Sequence, residues 1–219
     1  MGAAAMADLT VAERPVLEFW YEFASTYSYL AAMRIGPMAE AAGVSLRWRP
    51  FLLGPIFAQQ GWNTSPFNLY PAKGRHMWRD MERETEALGL PLRRPSPFPQ
   101  NSLFAARIAL LGQDDWGPAF TRALFRAGFG EGRSIAEPEV MRDALAEAGQ
   151  DADRIFAEAQ GEAAKAGLRA QNEAAMARGI FGAPSFVAGD GELFWGNDRL
   201  ERALGWARAL AARSHAGSG

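Results

Sequence analysis

The stretch "VLEFWYEFASTYSYLAAM", residues 16–33, changes its period at the middle, and that change decides the fold. Residues 16–23 alternate as a strand, with Leu17, Phe19, Tyr21 and Phe23 on one face and Glu18, Trp20 and Glu22 on the other. Both faces carry aromatic bulk. From Ser25 onward Tyr27, Leu30, Ala31, Ile35 and Met38 recur at helical spacing, and Gly43 ends the helix. Pro37 is expected to kink it. The segment "VSLRWRPF", residues 44–51, alternates again. The opening 50 residues therefore read as strand, helix, strand, which predicts a parallel pair joined by a right-handed crossover.

Further along, the pattern becomes helical. Segments at about 73–88, 101–111, 117–128, 137–148 and 151–178 are separated by glycines and by the proline-rich loops "GLPLRRPSPFPQ" and "SIAEPE". Glycines inside the last segment predict two helices. Strand patterns return as "PSFVAG" and "GELFWG", joined by the hairpin signal Gly189-Asp190-Gly191, and a helix from about Asp198 to Ala212 closes the chain. The order is βαβ, helices, ββα. It predicts an α/β thioredoxin-like fold with a large all-helical domain inserted after the first βαβ unit. The expected division is 14–55 plus 179–213 for the discontinuous thioredoxin-like domain and 56–178 for the insert.

Composition narrows the function. Of 219 residues none is cysteine, which removes disulfides, thiolate metal sites and a cysteine nucleophile. Only His76 and His215 are histidines, so a histidine triad or zinc site has little support and no metal is expected. A net charge of −2 with both signs interspersed argues against a nucleic-acid or membrane-surface role. The beginning of the chain lacks a basic segment followed by an apolar run, and cytoplasm is the expected compartment.

Three local features carry chemistry. Ser25 stands at the strand-to-helix junction, where it reads as an N-cap, and where a helix N-terminus also favours a bound anion beside the hydroxyl. The stretch "GAPSF", residues 182–186, can be an ordinary strand start. In a thioredoxin-like layout the same stretch is the cis-proline loop facing that helix, which raises the odds that the Ala183–Pro184 bond is cis. Gly196, Asn197 and Asp198 form a compact turn with a carboxylate, suited either to cap the last helix or to hold an ammonium group.

Six blocks in order, "YEFASTYSYLAA", "RPFLLGPIF", "NLYPAKGRHMWRDMER", "FPQNSLFAAR", "RGIFGAPSFV" and "LFWGNDRLE", closely resemble 2-hydroxychromene-2-carboxylate isomerases. Those enzymes are relatives of the kappa-class glutathione transferases and of the DsbA-like disulfide oxidants. The resemblance runs from about residue 16 to 210. It implies glutathione as cofactor, with its sulfur near Ser25, which takes the place of the oxidants' first cysteine, while Ser28 takes the place of the second. The implied reaction interconverts 2-hydroxychromene-2-carboxylate and trans-o-hydroxybenzylidenepyruvate, a step of naphthalene breakdown, in a homodimeric enzyme. Position by position it implies that the Ala183 backbone, ahead of Pro184, pairs with the cysteinyl backbone of glutathione. Asn197 and Asp198 match γ-glutamyl contacts, and Asn63 and Lys73 match contacts from the helical domain, Lys73 through the glycyl carboxylate.

Thr26 departs from the proline that many relatives carry after the serine, and His76 stands where tyrosine is frequent. Trp62, Trp78 and Trp195 read either as core or as walls of an aromatic pocket. A transferase that releases a glutathione conjugate and a non-catalytic glutathione-binding module are the alternatives in other function classes.

Overall fold

The computed structural model describes residues 14–216. Strand β1 (Val16–Tyr21) pairs in parallel with β2 (Ser45–Pro50), and helix α1 (Thr26–Ala42) joins them. The sheet order is β2-β1-β3-β4, with β3 (Ser185–Ala188) antiparallel to β1 and β4 (Leu193–Trp195) antiparallel to β3. Helix α10 (Leu200–Ala216) closes the chain.

The aromatic bulk on both faces of β1 follows from its central place. Leu17, Phe19 and Tyr21 are buried toward α1 and the main core, whereas Trp20 is buried on the other face against Phe51, Ile56, Ile180 and Val187. Each such side chain contributes on the order of 1.5–3 kcal/mol by leaving water. Glu18 shares the Trp20 face and is held there by Arg49 and Arg178.

Between β2 and β3 lie α2 (Leu53–Gln59), α3 (Pro66–Leu69), α4 (Pro71–Leu88), α5 (Leu103–Leu111), α6 (Gly117–Phe125), α7 (Pro138–Glu147), α8 (Ala152–Gln160) and α9 (Glu162–Ala177). The long pattern 151–178 is divided at Gly161, as its glycines predicted. A π-helical segment, Arg126–Gly130, prolongs α6. Phe120, Leu124, Phe125 and Leu145 from these helices belong to the same apolar core as Phe19 and Ile35. The helices therefore pack directly on the sheet unit.

This packing widens the buried arc of α1. Leu30, Ala31 and Ile35 are buried as their spacing predicted, but Tyr29, Ala32 and Ala39 are buried too, while Tyr27 and Met38 are only half-buried. Tyr29 stacks on Phe129 from the π-helical segment and donates to the carbonyl of Pro91 at 2.8 Å. Helix α1 continues through Pro37 without a break in its assignment, and Gly43 ends it at φ 65°. The helical pattern read from the sequence does not include α2 and α3, two short helices that hold Pro55 and Pro66 in their first turns. A proline in the first turn of a helix removes an N–H that has no helical partner anyway. Among the described residues no helix is long and apolar enough to cross a membrane.

Candidate active site

Strand β1 ends at Tyr21, and the chain turns through Glu22–Ala24 before α1 begins. Ser25 is the N-cap of that helix: its Oγ accepts from the Ser28 N–H at 3.2 Å, and its own N–H donates to the Glu22 carbonyl at 3.0 Å. No acidic side chain lies in the first turn of α1 itself. Ser28 is fully buried, and its Oγ accepts from the Glu22 N–H at 3.4 Å. It ties the helix start to the turn.

Across from Ser25 lies the loop that enters β3. The Ala183–Pro184 bond is cis. Ser185 Oγ donates to the Gly182 carbonyl at 2.8 Å, and the Gly196 N–H donates to the Pro184 carbonyl at 2.9 Å, so the loop is held from both sides. The Ser25 hydroxyl donates to the Ala183 carbonyl at 3.0 Å, joining two segments 158 residues apart. A side chain at Gly182 would collide with the indole of Trp195, which lies against this loop.

A cleft of about 1160 Å³ opens over these two segments. Single-ligand pockets run at roughly 300–1,000 Å³, so this one has room for two small molecules. Ser25, Asn63, Lys73, Ala183, Asn197 and Asp198 all line it, and Pro184 is buried directly behind Ala183. Asn63 lies in the turn between α2 and α3, and Lys73 lies in the first turn of α4 with its Nζ 4.9 Å from the Tyr70 ring centre. Gly196, at φ 108°, makes the sharp turn that precedes Asn197 and Asp198. Asp198 is exposed and meets the neighbouring Arg199 at 2.5 Å.

Trp62 and Trp195 also line the cleft, the latter 53% exposed and packed on Phe181 at 4.9 Å. Trp78 packs instead against the lining residue Phe98, at 5.0 Å. His76 is an exposed residue of α4. At one wall Tyr27 donates to Asp80 at 2.9 Å. Burial pushes the Asp80 carboxyl up, but hydrogen bonds from Arg83 and Tyr27 outweigh it and hold the group below its usual range. Burial and that carboxylate together raise the Tyr27 hydroxyl. Among the described residues no cluster of histidine and acidic side chains is arranged to hold a metal ion.

Two features escaped the sequence pattern. Arg34, which lies at helical spacing on the same face of α1 as Tyr27, Leu30, Ala31 and Met38, reaches to the Asn197 turn: its Nε donates to Asn197 Oδ1 at 3.2 Å and its Nη2 to the Asn197 carbonyl at 2.8 Å. Glu201 anchors the guanidinium at 2.6 Å. Because arginine only donates, the Asn197 amide oxygen must face it, which leaves the amide NH₂ as the group Asn197 can offer elsewhere. The second feature is Glu22, which lines the cleft yet is only 5% exposed. Its Oε2 accepts from the Ala24 N–H at 2.9 Å and its Oε1 accepts from the Ser102 hydroxyl. Burial pushes this carboxyl up to about 7 against those two hydrogen bonds.

Comparison with known proteins agrees with this fold. Residues 16–205 match the DsbA-like thioredoxin domain. The 2-hydroxychromene-2-carboxylate isomerase of Sphingobium xenophagum is 30% identical over 84% of this chain and 94% of its own. Glutathione S-transferase kappa 1 of Rattus norvegicus is 24% identical over 85% and 88% of the two chains. A solved 2-hydroxychromene-2-carboxylate isomerase superposes with a TM-score of 0.81 at 25% identity, over 93% of this chain and 99% of that one. The chain belongs to the DsbA-like thioredoxin family and, within it, to the 2-hydroxychromene-2-carboxylate isomerases.

Proposed function

We propose that this family member is a glutathione-dependent cis-trans isomerase interconverting 2-hydroxychromene-2-carboxylate and trans-o-hydroxybenzylidenepyruvate. The observation that carries the proposal is one cleft, large enough for a cofactor and a substrate, lined by Ser25, Ala183, Asn197, Asp198, Asn63 and Lys73 together. Those residues offer what each part of glutathione needs. Asp198 supplies a carboxylate for the γ-glutamyl ammonium, and Asn197, with its oxygen fixed by Arg34, supplies an NH₂ for the adjacent carboxylate. The Ala183 backbone at the cis-proline loop offers a short edge to an extended peptide. Lys73 supplies an exposed ammonium for the glycyl carboxylate, and Asn63 a side-chain amide beside it.

When bound, glutathione supplies a thiolate able to add reversibly to a conjugated double bond, making it rotatable, and to leave unchanged. Ser25 is the residue that sets up this chemistry. A free thiol titrates near 8.5, and a hydroxyl hydrogen bond at a helix N-terminus favours the charged form. Phe181, Trp195 and Trp62 give the same cleft aromatic walls for an aryl substrate. The same reading assigns the enzyme to naphthalene breakdown in the cytoplasm, as a homodimer, on the strength of the resemblance.

A second reading, a transferase that releases a conjugate, is favoured by the likeness to the rat kappa transferase. The isomerase is tested by following 2-hydroxychromene-2-carboxylate by absorbance with and without glutathione. The expected rate is saturable in glutathione and near background without it. Equal rates in both conditions would remove glutathione from the reaction.

A further inference from the structure

The thiolate chemistry leaves Glu22 and Ser102 unused, although both line the cleft. Ser102 occupies the N-cap position of α5 but makes no capping hydrogen bond. Asn101 serves the helix start in its place, its Oδ1 accepting from the Leu103 N–H at 3.1 Å. The Ser102 hydroxyl is turned instead onto the Glu22 carboxyl. Both side chains are more than nine-tenths buried and belong to segments 80 residues apart. Glu22 is also the residue whose carbonyl receives the Ser25 N–H, so the pair sits at the foot of the same turn. The other charged groups of the cleft are Asp80, Glu84, Lys73, Asp198 and Arg199, and among the described residues none of them forms an ion pair with Glu22.

We infer that Ser102 and Glu22 form a proton-transfer pair that opens and closes the hemiketal ring of the substrate, with Ser102 as the catalytic hydroxyl and Glu22 positioning and recharging it. The inference rests on the proposed reaction, because 2-hydroxychromene-2-carboxylate must open to a ketone before its double bond can be isomerised. In opening, the ring carbon–oxygen bond breaks and its electron pair moves onto the ring oxygen. With the Glu22 carboxyl protonated and donating to Ser102 Oγ, the reverse of the hydrogen bond in the free protein, that oxygen takes the Ser102 proton and Ser102 takes the one from Glu22. The proton left on the new carbonyl returns through Ser102 to Glu22, so the pair ends as it began. Closure runs the same path in reverse, and no redox partner or thiol is needed. A carboxyl that titrates near neutrality suits a group that must both give and take a proton.

The step is measurable without glutathione, by magnetisation-exchange NMR between the ring-closed and ring-opened forms in the presence of the protein. The parent is expected to accelerate the exchange, with a pH profile that breaks near 7. Ser102→Ala is expected to lose most of the acceleration, on the order of 10²-fold. Glu22→Gln, whose amide oxygen can still accept from the Ala24 N–H while its NH₂ donates to Ser102 Oγ, cannot exchange a proton and is expected to lose both the acceleration and the break. Circular dichroism and glutathione affinity are expected to stay within about twofold of the parent for Ser102→Ala. A parent that does not accelerate the exchange, or variants that keep its rate and profile, would overturn the inference while leaving glutathione-dependent turnover untouched. Ring exchange that persists in a protein showing no isomerisation supports the pair and counts against the isomerase instead.

Discussion

Replacing Ser25 by alanine tests how the chain handles a thiol it does not own. The Ser25 hydroxyl has one proton, and in the free protein it is spent on the Ala183 carbonyl at 3.0 Å. To serve a thiolate the hydroxyl must turn away from that carbonyl, which then needs another donor. In the proposed binding mode the cysteinyl N–H of glutathione would be such a donor, and binding the peptide would free the hydroxyl for the sulfur. A hydrogen bond to a charged group is worth about 1.5–3 kcal/mol against about 1 kcal/mol for a neutral one. At about 1.4 kcal/mol per pKa unit, Ser25→Ala should raise the thiol of bound glutathione by about one to two units.

A raised pKa empties the thiolate at every pH below it. The loss of rate should therefore be largest below pH 7, about tenfold for each unit by which the thiol rises, and should shrink as the pH climbs toward the new value. The variant also loses the bond from Ser28 N–H at 3.2 Å, a missing helix cap that costs about 0.5–2 kcal/mol. Set against a total of about 5–15 kcal/mol, this leaves the fold standing. The assay is the ultraviolet titration of thiolate in the glutathione complex, alongside the pH dependence of turnover. Identical titrations for variant and parent, or a rate loss that does not change with pH, would refute the role given to Ser25.

Other perturbations separate the remaining contacts. Lys73→Met should weaken glutathione binding by roughly two- to fivefold, the size of an exposed ion pair, with no effect on glutathione amidated at its glycine; equal weakening of both ligands would contradict the assignment. Arg34→Met removes two hydrogen bonds from Asn197, at 3.2 and 2.8 Å, and should weaken glutathione binding more than that of a peptide lacking the γ-glutamyl unit. Calorimetry with both ligands decides, and matched losses would reduce Arg34 to a structural brace. Glu22 titrates at about 7 in the fold against an ordinary 4.5, so the folded chain holds a proton that the unfolded one releases between those values. Its contribution to stability is therefore greatest below about 4.5 and falls as pH rises to about 7. Melting temperatures of Glu22→Gln should lack that decline and exceed the parent's most at neutral pH; parallel curves would show that Glu22 titrates normally.

Much of the fold was legible because it rests on period. Alternation at 16–23 and 44–51 and helical spacing from Ser25 gave the parallel βαβ start, and Gly189-Asp190-Gly191 gave the hairpin of β3 and β4. The turn chemistry of α2 and α3 was not legible, since proline signals both the end of one segment and the start of a helix. The site divides in the same way. Ser25, the cis-proline loop and the Gly196 turn are marked locally by caps and turns, and the fold gathers them with Asn63 and Lys73 around one cleft. Nothing local names the partner of Arg34, a charge on the apolar face of α1, or joins Glu22 to Ser102. Arg34 lies 163 residues from Asn197, and Glu22 lies 80 residues from Ser102, so only folding makes them neighbours. Ser28, which the resemblance matches to the oxidants' second cysteine, is buried and holds the turn together.

The proposed reaction turns on a sulfur that acts and then departs unchanged. Its most direct test is to count free thiol after many turnovers of 2-hydroxychromene-2-carboxylate with glutathione present in small amount. Full recovery of the thiol, with product formed in large excess over glutathione, is the predicted result. Thiol lost in step with substrate would contradict it and make the protein a transferase.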